Sequence, residues 1–143
     1  MESYPYSESS KRELETCHPK LQSVFYTVSK YVDTTIIEGH RGKARQNRLF
    51  EVGQSTKRWP ESKHNTLPEE EPLSEAVDAA PHPIEWGDTY RFYLFAGFVL
   101  GIATQLGIKL RWGGDWDGDF TWKDQKFHDL VHFELINPGG EGE

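Results

Sequence analysis

Cysteine is nearly absent: Cys17 is the only one in 143 residues. An internal disulfide framework is therefore excluded, and core packing is the role expected of Cys17. A long apolar run is missing too. The longest, from Phe92 to Ile108, contains Thr and Gln and falls short of the roughly 20 residues that span a bilayer. It reads as a core helix, and no membrane insertion is expected. The N-terminus, MESYPYSESSKRELE, has no basic start followed by an apolar stretch. No signal peptide is visible, so residence in a cytoplasm is expected. Basic charge is in deficit, with 16 Lys+Arg against 23 Asp+Glu and a formal net charge of -7. A sequence-independent nucleic-acid binder needs a basic face, so no nucleic-acid partner is expected.

What the chain does have is aromatic bulk. Hydrophobic residues make up 36% and aromatics 13%, so burial must lean on Phe, Tyr and Trp. Charged residues at 27% and a mean hydropathy of -0.72 describe a soluble protein. The length fits one domain, residues 1–143, with a flexible tail from about residue 137 and no second domain. No internal repeat is visible.

Residues 10–31 read as two helical pieces, with Pro19 in a first turn and Leu21, Val24, Phe25 and Val28 at helical spacing. TTIIEG reads as a strand and KARQNRLFEVG as a short helix stopped by Gly53. From Gln54 to Leu73 the chain is polar and proline-containing, a long surface loop of the kind that often carries function. SEAVDAAP reads as a strand. Tyr90–Gly107 reads as a central helix, apolar on nearly all faces, whose Gly97 and Gly101 suit close packing on a sheet. IKLRW and LVHFELI complete the strands. The irregular alternation predicts an α+β fold with a small, mainly antiparallel sheet packed with helices.

Three segments carry metal-binding chemistry: SKH at 62–64, AVD at 76–78 and DLVH at 129–132. Catalytic zinc sites use three protein ligands and leave a position open. With six His and many carboxylates, some such combination arises by chance, and a polar strand edge explains KFHDLVHFEL equally well. His82 between two prolines reads as a loop residue, His18 as a helix start and His128 as exposed. His40 is expected in a structural hydrogen bond. Glu134 alternates with His132 and is expected to support it from the same face.

Taken together, SKHNTLP, SEAVDAAPHPIEW, RFYLFAGFVLGIA, LRWGGDWDGDF and KDQKFHDLVHFEL resemble the phage L-alanyl-D-glutamate endopeptidases. These are relatives of the D-alanyl-D-alanine carboxypeptidases, with a hedgehog/D,D-peptidase-like fold. The resemblance spans about residues 19–136. It implies one Zn2+ held by His64, Asp78 and His132, with Asp129 as general base. It implies that Arg41 and Gln46, in GHRGKARQ, hold and polarise the substrate, and that Ser62 lies near it. The implied substrate is bacterial peptidoglycan. The implied setting is a phage endolysin, monomeric, kept in the host cytoplasm until released to the wall. For Asp129 and His132 to share a site, a turn at 129–131 is expected, because strand residues three apart face opposite ways. The run from His64 to Asp78 is longer than the family pattern, through an insert at 69–73 that should be exposed.

Two other readings share these residues: a D-alanyl-D-alanine carboxypeptidase, and a zinc-stabilised wall-binding module without chemistry. The presence of Asp129 argues against the second. Asp115, Asp117 and Asp119 alternate as in a calcium loop, but the glycine falls at position 4 rather than 6. A turn in which Asp115 caps backbone amides, with Trp116 and Phe120 anchoring it beside the cleft, is favoured over Ca2+.

Overall fold

A computed structural model describes residues 3–67, 73–121, 123 and 128–137. The Glu run at 69–71, Trp122, Asp124 and the tail beyond 137 lie outside the described residues, so the exposure expected of the insert is visible only at Leu73, which is 48% exposed.

Helix α1 (Glu8–Glu15) starts where Ser7 accepts a hydrogen bond from the Ser10 amide. Helix α2 (Pro19–Val28) has Pro19 in its first turn, where the missing N–H costs nothing. His18 caps it by accepting from the Lys20 amide. Leu21, Val24, Phe25 and Val28 are all fully buried. Strand β1 (Thr34–Glu38), helix α3 (Lys43–Glu51) and strand β2 (Ala76–Pro81) follow. Gly53 ends α3 with φ at 79°, a conformation that disfavours any residue with a Cβ. Helix α4 (Thr89–Gln105) is capped by Asp88, and strands β3 (Leu110–Gly113) and β4 (Asp129–Leu135) complete the fold.

The four strands form one sheet in the order β1-β2-β4-β3, with every pairing antiparallel. The α+β expectation holds. Alternation sorts each strand into two faces. Val77, Ala79, Phe133 and Leu135 face the helices and join the core with Phe25, Phe95 and Val99. Phe133 meets Phe25 and Phe95 edge to face, at centroid distances of 5.6 and 6.2 Å. Asp78 and His132, register partners, face the other way.

Two expectations for α4 fail. The helix is not buried all round: Phe92, Phe95, Ala96, Val99 and Ala103 form its inner stripe, while Tyr90 is 82% and Leu94 77% exposed. A four-stranded sheet covers only one side of a helix. Nor do Gly97 and Gly101 permit close packing, since a Cβ on either would meet nothing within 4 Å. They sit on the open side.

Candidate metal centre

Two strand irregularities build the site. In β1 the register shifts between Ile36 and Glu38: Ile36 pairs with Ala79, yet Glu38 pairs with Asp78. A bulge reverses the side to which the following residue points. Ile36 thus stays in the core while Glu38 is delivered to Asp78. In β4 the shift is larger. Trp112 pairs with Phe133, but Gly113 pairs with Asp129, leaving residues 130–132 as the excess. The turn expected at 129–131 is therefore absent as such, because the chain is already strand at Asp129 and a bulge does the work. It brings Asp129 to the side of His132.

The His64, Asp78 and His132 ligand atoms lie within 4.8 Å of one another, all three residues buried. His64 sits in the polar loop, its own amide donating to Ser62 Oγ at 3.1 Å. Its Nδ1 is 2.7 Å from the Gly39 carbonyl oxygen. A carbonyl only accepts, so Nδ1 carries the hydrogen and Nε2 presents its lone pair inward. His132 mirrors this arrangement. Its Nε2 is 2.8 Å from Glu134 Oε1, which leaves Nδ1 to face the site. Both nitrogens lie 3.3 Å from Asp78 Oδ1. His64 Nε2 and Asp78 Oδ1 are buried without a hydrogen-bond partner. Buried polar atoms are rarely left so, and two histidine nitrogens with one carboxylate oxygen suit a divalent metal. Glu134 fixes the His132 ring as expected, and Arg111 holds Glu134 at 3.2 Å.

The charges agree with the geometry. Burial opposes ionisation of Asp78, but His64 and His132 outweigh it and hold its pKa well below the usual carboxylate range. Burial also opposes charge on His132, yet Asp78 and Glu134 push its pKa up to about 9. A metal entering near neutral pH therefore displaces a proton from His132. Asp129 is shifted upward, first by burial and then by the negative charge of Asp78, while His132, His64 and Arg41 pull the other way. It is a carboxylate poised at the edge of the cluster.

Arg41 donates to Glu38 Oε1 at 2.9 Å, to Asp78 Oδ2 at 3.3 Å and to Gln46 Oε1 at 3.4 Å. Arg45 also pairs with Glu38. Gln46 is fully buried and donates to Ser55 Oγ and the Lys57 carbonyl. Its amide braces Arg41 and the loop. Ser62 is half-buried and orients His64.

Sequence reasoning overlooked Glu38, although an acid three residues before Arg41 was visible. It also overlooked the carbonyl of Gly39 and the role of Gly113. A Cβ on Gly113 would lie 2.1 Å from the Asp129 carbonyl oxygen and 2.9 Å from its Cβ. Only glycine lets β3 run this close beneath Asp129. Gly113→Ala should displace Asp129 by about 1 Å and lower kcat roughly 10²-fold with metal content unchanged. Full turnover in that variant would show that the position of Asp129 is not critical.

Elsewhere, His82 is exposed and bonds Thr35, and His128 is exposed. His40 makes its structural hydrogen bond through the backbone amide, which donates to Thr16 Oγ1 at 2.9 Å, while its ring Nε2 is buried with no hydrogen-bond partner and the ring meets Trp59 edge-on. Trp112 is core, donating to the Leu130 carbonyl, and Trp116 packs 5.4 Å from the His132 ring. In the acidic loop, Asp115 Oδ2 accepts from the Phe120 amide at 2.8 Å, the expected capping turn. Phe120 is 88% exposed and does not anchor the loop. The Asp115, Asp117 and Asp119 carboxylates also converge within 4.8 Å.

Residues 2–136 match the profile of the phage L-alanyl-D-glutamate peptidases. The chain belongs to that family. It is 31% identical over 144 residues to the L-alanyl-D-glutamate peptidase of Escherichia phage T5, covering 94% of this chain and 99% of that protein. The crystal structure of the Serratia marcescens L-Ala D-Glu endopeptidase ChiX superposes with a TM-score of 0.71 at 27% identity, covering 92% of this chain and 90% of that one. The protein is thus a peptidase, and the His64–Asp78–His132 group is its candidate metal centre.

Proposed function

We propose that this peptidase is a zinc-dependent endolysin that hydrolyses the L-alanyl-D-glutamate bond in peptidoglycan stem peptides. The observation that carries the reading is the pair of partnerless buried atoms, His64 Nε2 and Asp78 Oδ1, facing His132 Nδ1 in a family of L-alanyl-D-glutamate peptidases. His64, Asp78 and His132 would hold the ion. Bound there, zinc would supply Lewis acidity toward the carbonyl and lower the pKa of a water to about 7. Asp129 takes the proton from the attacking water and returns it to the departing amine as the C–N bond breaks. The Arg41 guanidinium, fixed by Glu38 and Gln46, stabilises negative charge on the former carbonyl oxygen. Ser62 supports His64 at the substrate side. No described helix is long and apolar enough to cross a membrane, and the enzyme is proposed to wait in the host cytoplasm until released to the wall.

Calorimetric titration of the metal-free protein with zinc tests the cofactor. One site per chain is expected, with about one proton released near pH 7 as the metal displaces it from His132. No saturable zinc binding, or more than one site per chain, would contradict the site. The acidic loop is read as a turn, although Asp115 Oδ1 is buried without a partner. A saturable calcium heat in the zinc-loaded protein, lost in Asp117→Asn with Asp119→Asn, would reassign it as a cation site.

A further inference from the structure

The motif APHPIEW contributes more to the molecule than the strand that carries Asp78. Its last residue, Trp86, is 65% exposed. An isolated exposed Trp needs no explanation, but this one is held. Its ring stacks on Phe92 at 5.7 Å with an interplanar angle of 21°. The preceding loop is tied to α4, since Arg91 donates to the carbonyls of His82 and Pro83. The Asp88 amide donates to the Glu85 carbonyl at 2.9 Å. Trp86 is thus a rigid aromatic platform on the surface.

Beside it opens a cavity of about 240 Å³, lined by Trp86, Phe92, His128, Asp129, Leu130 and Val131. Pockets that enclose a whole small molecule run to roughly 300–1,000 Å³, so this one suits a single side chain. Four of its walls are apolar. The polar ones include Asp129, the proposed proton carrier. The bulge in β4 makes this possible: it turns Asp129 to the metal face while Leu130 and Val131 form a wall beside it.

Resting on the hydrolysis proposed above, we infer that this cavity is the subsite for the residue following the D-glutamate, a diamino acid with a long aliphatic side chain ending in an ammonium. Asp129 returns its proton to the leaving amine, so the departing peptide lies at Asp129. A cavity walled by Asp129 is on that side of the bond. The methylenes of the diamino acid run along Leu130 and Val131, as long charged side chains do on apolar surfaces. The ammonium meets the face of the Trp86 ring, which favours a cation and disfavours an anion, while Asp129 stays with the leaving amine. Trp86 is then a specificity-determining contact, remote from the metal.

Binding of product-side peptides to the zinc-loaded protein tests this without turnover. The probes are γ-D-glutamyl-L-lysine and γ-D-glutamyl-glycine, titrated by calorimetry. The lysine peptide should bind roughly tenfold more tightly than the glycine peptide. Trp86→Ala should abolish the difference, and Trp86→Phe, which preserves the stack and the ring, should keep most of it. A wild-type protein that does not distinguish the two peptides overturns the inference. So does a preference that survives in Trp86→Ala. If the preference behaves as expected but L-Ala-γ-D-Glu-L-Lys is not hydrolysed, the subsite stands and the proposed reaction falls.

Discussion

Asp129→Ala is expected to keep its fold and its zinc but lose activity by roughly 10²–10⁴-fold, the usual contribution of a positioned general acid–base. Asp129 lies beside the ligand set without belonging to it. His64 is oriented by Gly39, His132 by Glu134 and Asp78 by Arg41, and none of these contacts passes through Asp129. Removing its carboxylate also relieves repulsion with Asp78, the very charge that helps raise its pKa. Neither stability nor metal affinity should suffer much. The measurement pairs metal analysis with kcat on a stem-peptide substrate. Activity within a few-fold of wild type would transfer the proton to another group, and Glu134, hydrogen-bonded to His132, would be the next to test.

His132→Ala and His64→Ala should have a larger effect still: zinc stoichiometry well below wild type and no detectable turnover. Each removes one of three donors from a buried cluster. His132→Ala also removes one of the groups that hold the Asp78 and Glu134 carboxylates ionised, leaving Asp78 with His64 and Arg41 and Glu134 with Arg111. Loss of one partner from a buried, hydrogen-bonded charge cluster is destabilising. The melting temperature of His132→Ala should therefore fall as well. Undiminished zinc in both variants would overturn the ligand assignment.

The elements of the fold were legible because their signals are local. Pro19 and His18 mark the start of α2, and Gly53 the end of α3. The alternation of Val77, Asp78 and Ala79 shows a strand with two different faces. The α4 helix misled because composition was read as burial. Leu94 and Tyr90 are as apolar as Phe95, and only the sheet's limited width decides which are covered. In the site, the resemblance pointed to the candidate ligands and Asp129, but sequence spacing misplaced the geometry around them. A bulge depends on how two strands pair, so neither the one delivering Glu38 to Asp78 nor the one turning Asp129 toward His132 is written in either strand alone. The same holds for Gly113, whose lack of a side chain matters only because Asp129 passes over it.

The bond that is cut separates the endopeptidase from its alternatives. Digestion of purified peptidoglycan with the zinc-loaded protein, followed by mass spectrometry of the new termini, reads it directly. Stem peptides with a new N-terminal D-glutamyl residue are expected, and none when Asp129→Ala replaces the wild type. Release of free D-alanine would instead identify a D-alanyl-D-alanine carboxypeptidase on the same metal site, and the absence of any new terminus would contradict a peptidoglycan peptidase altogether.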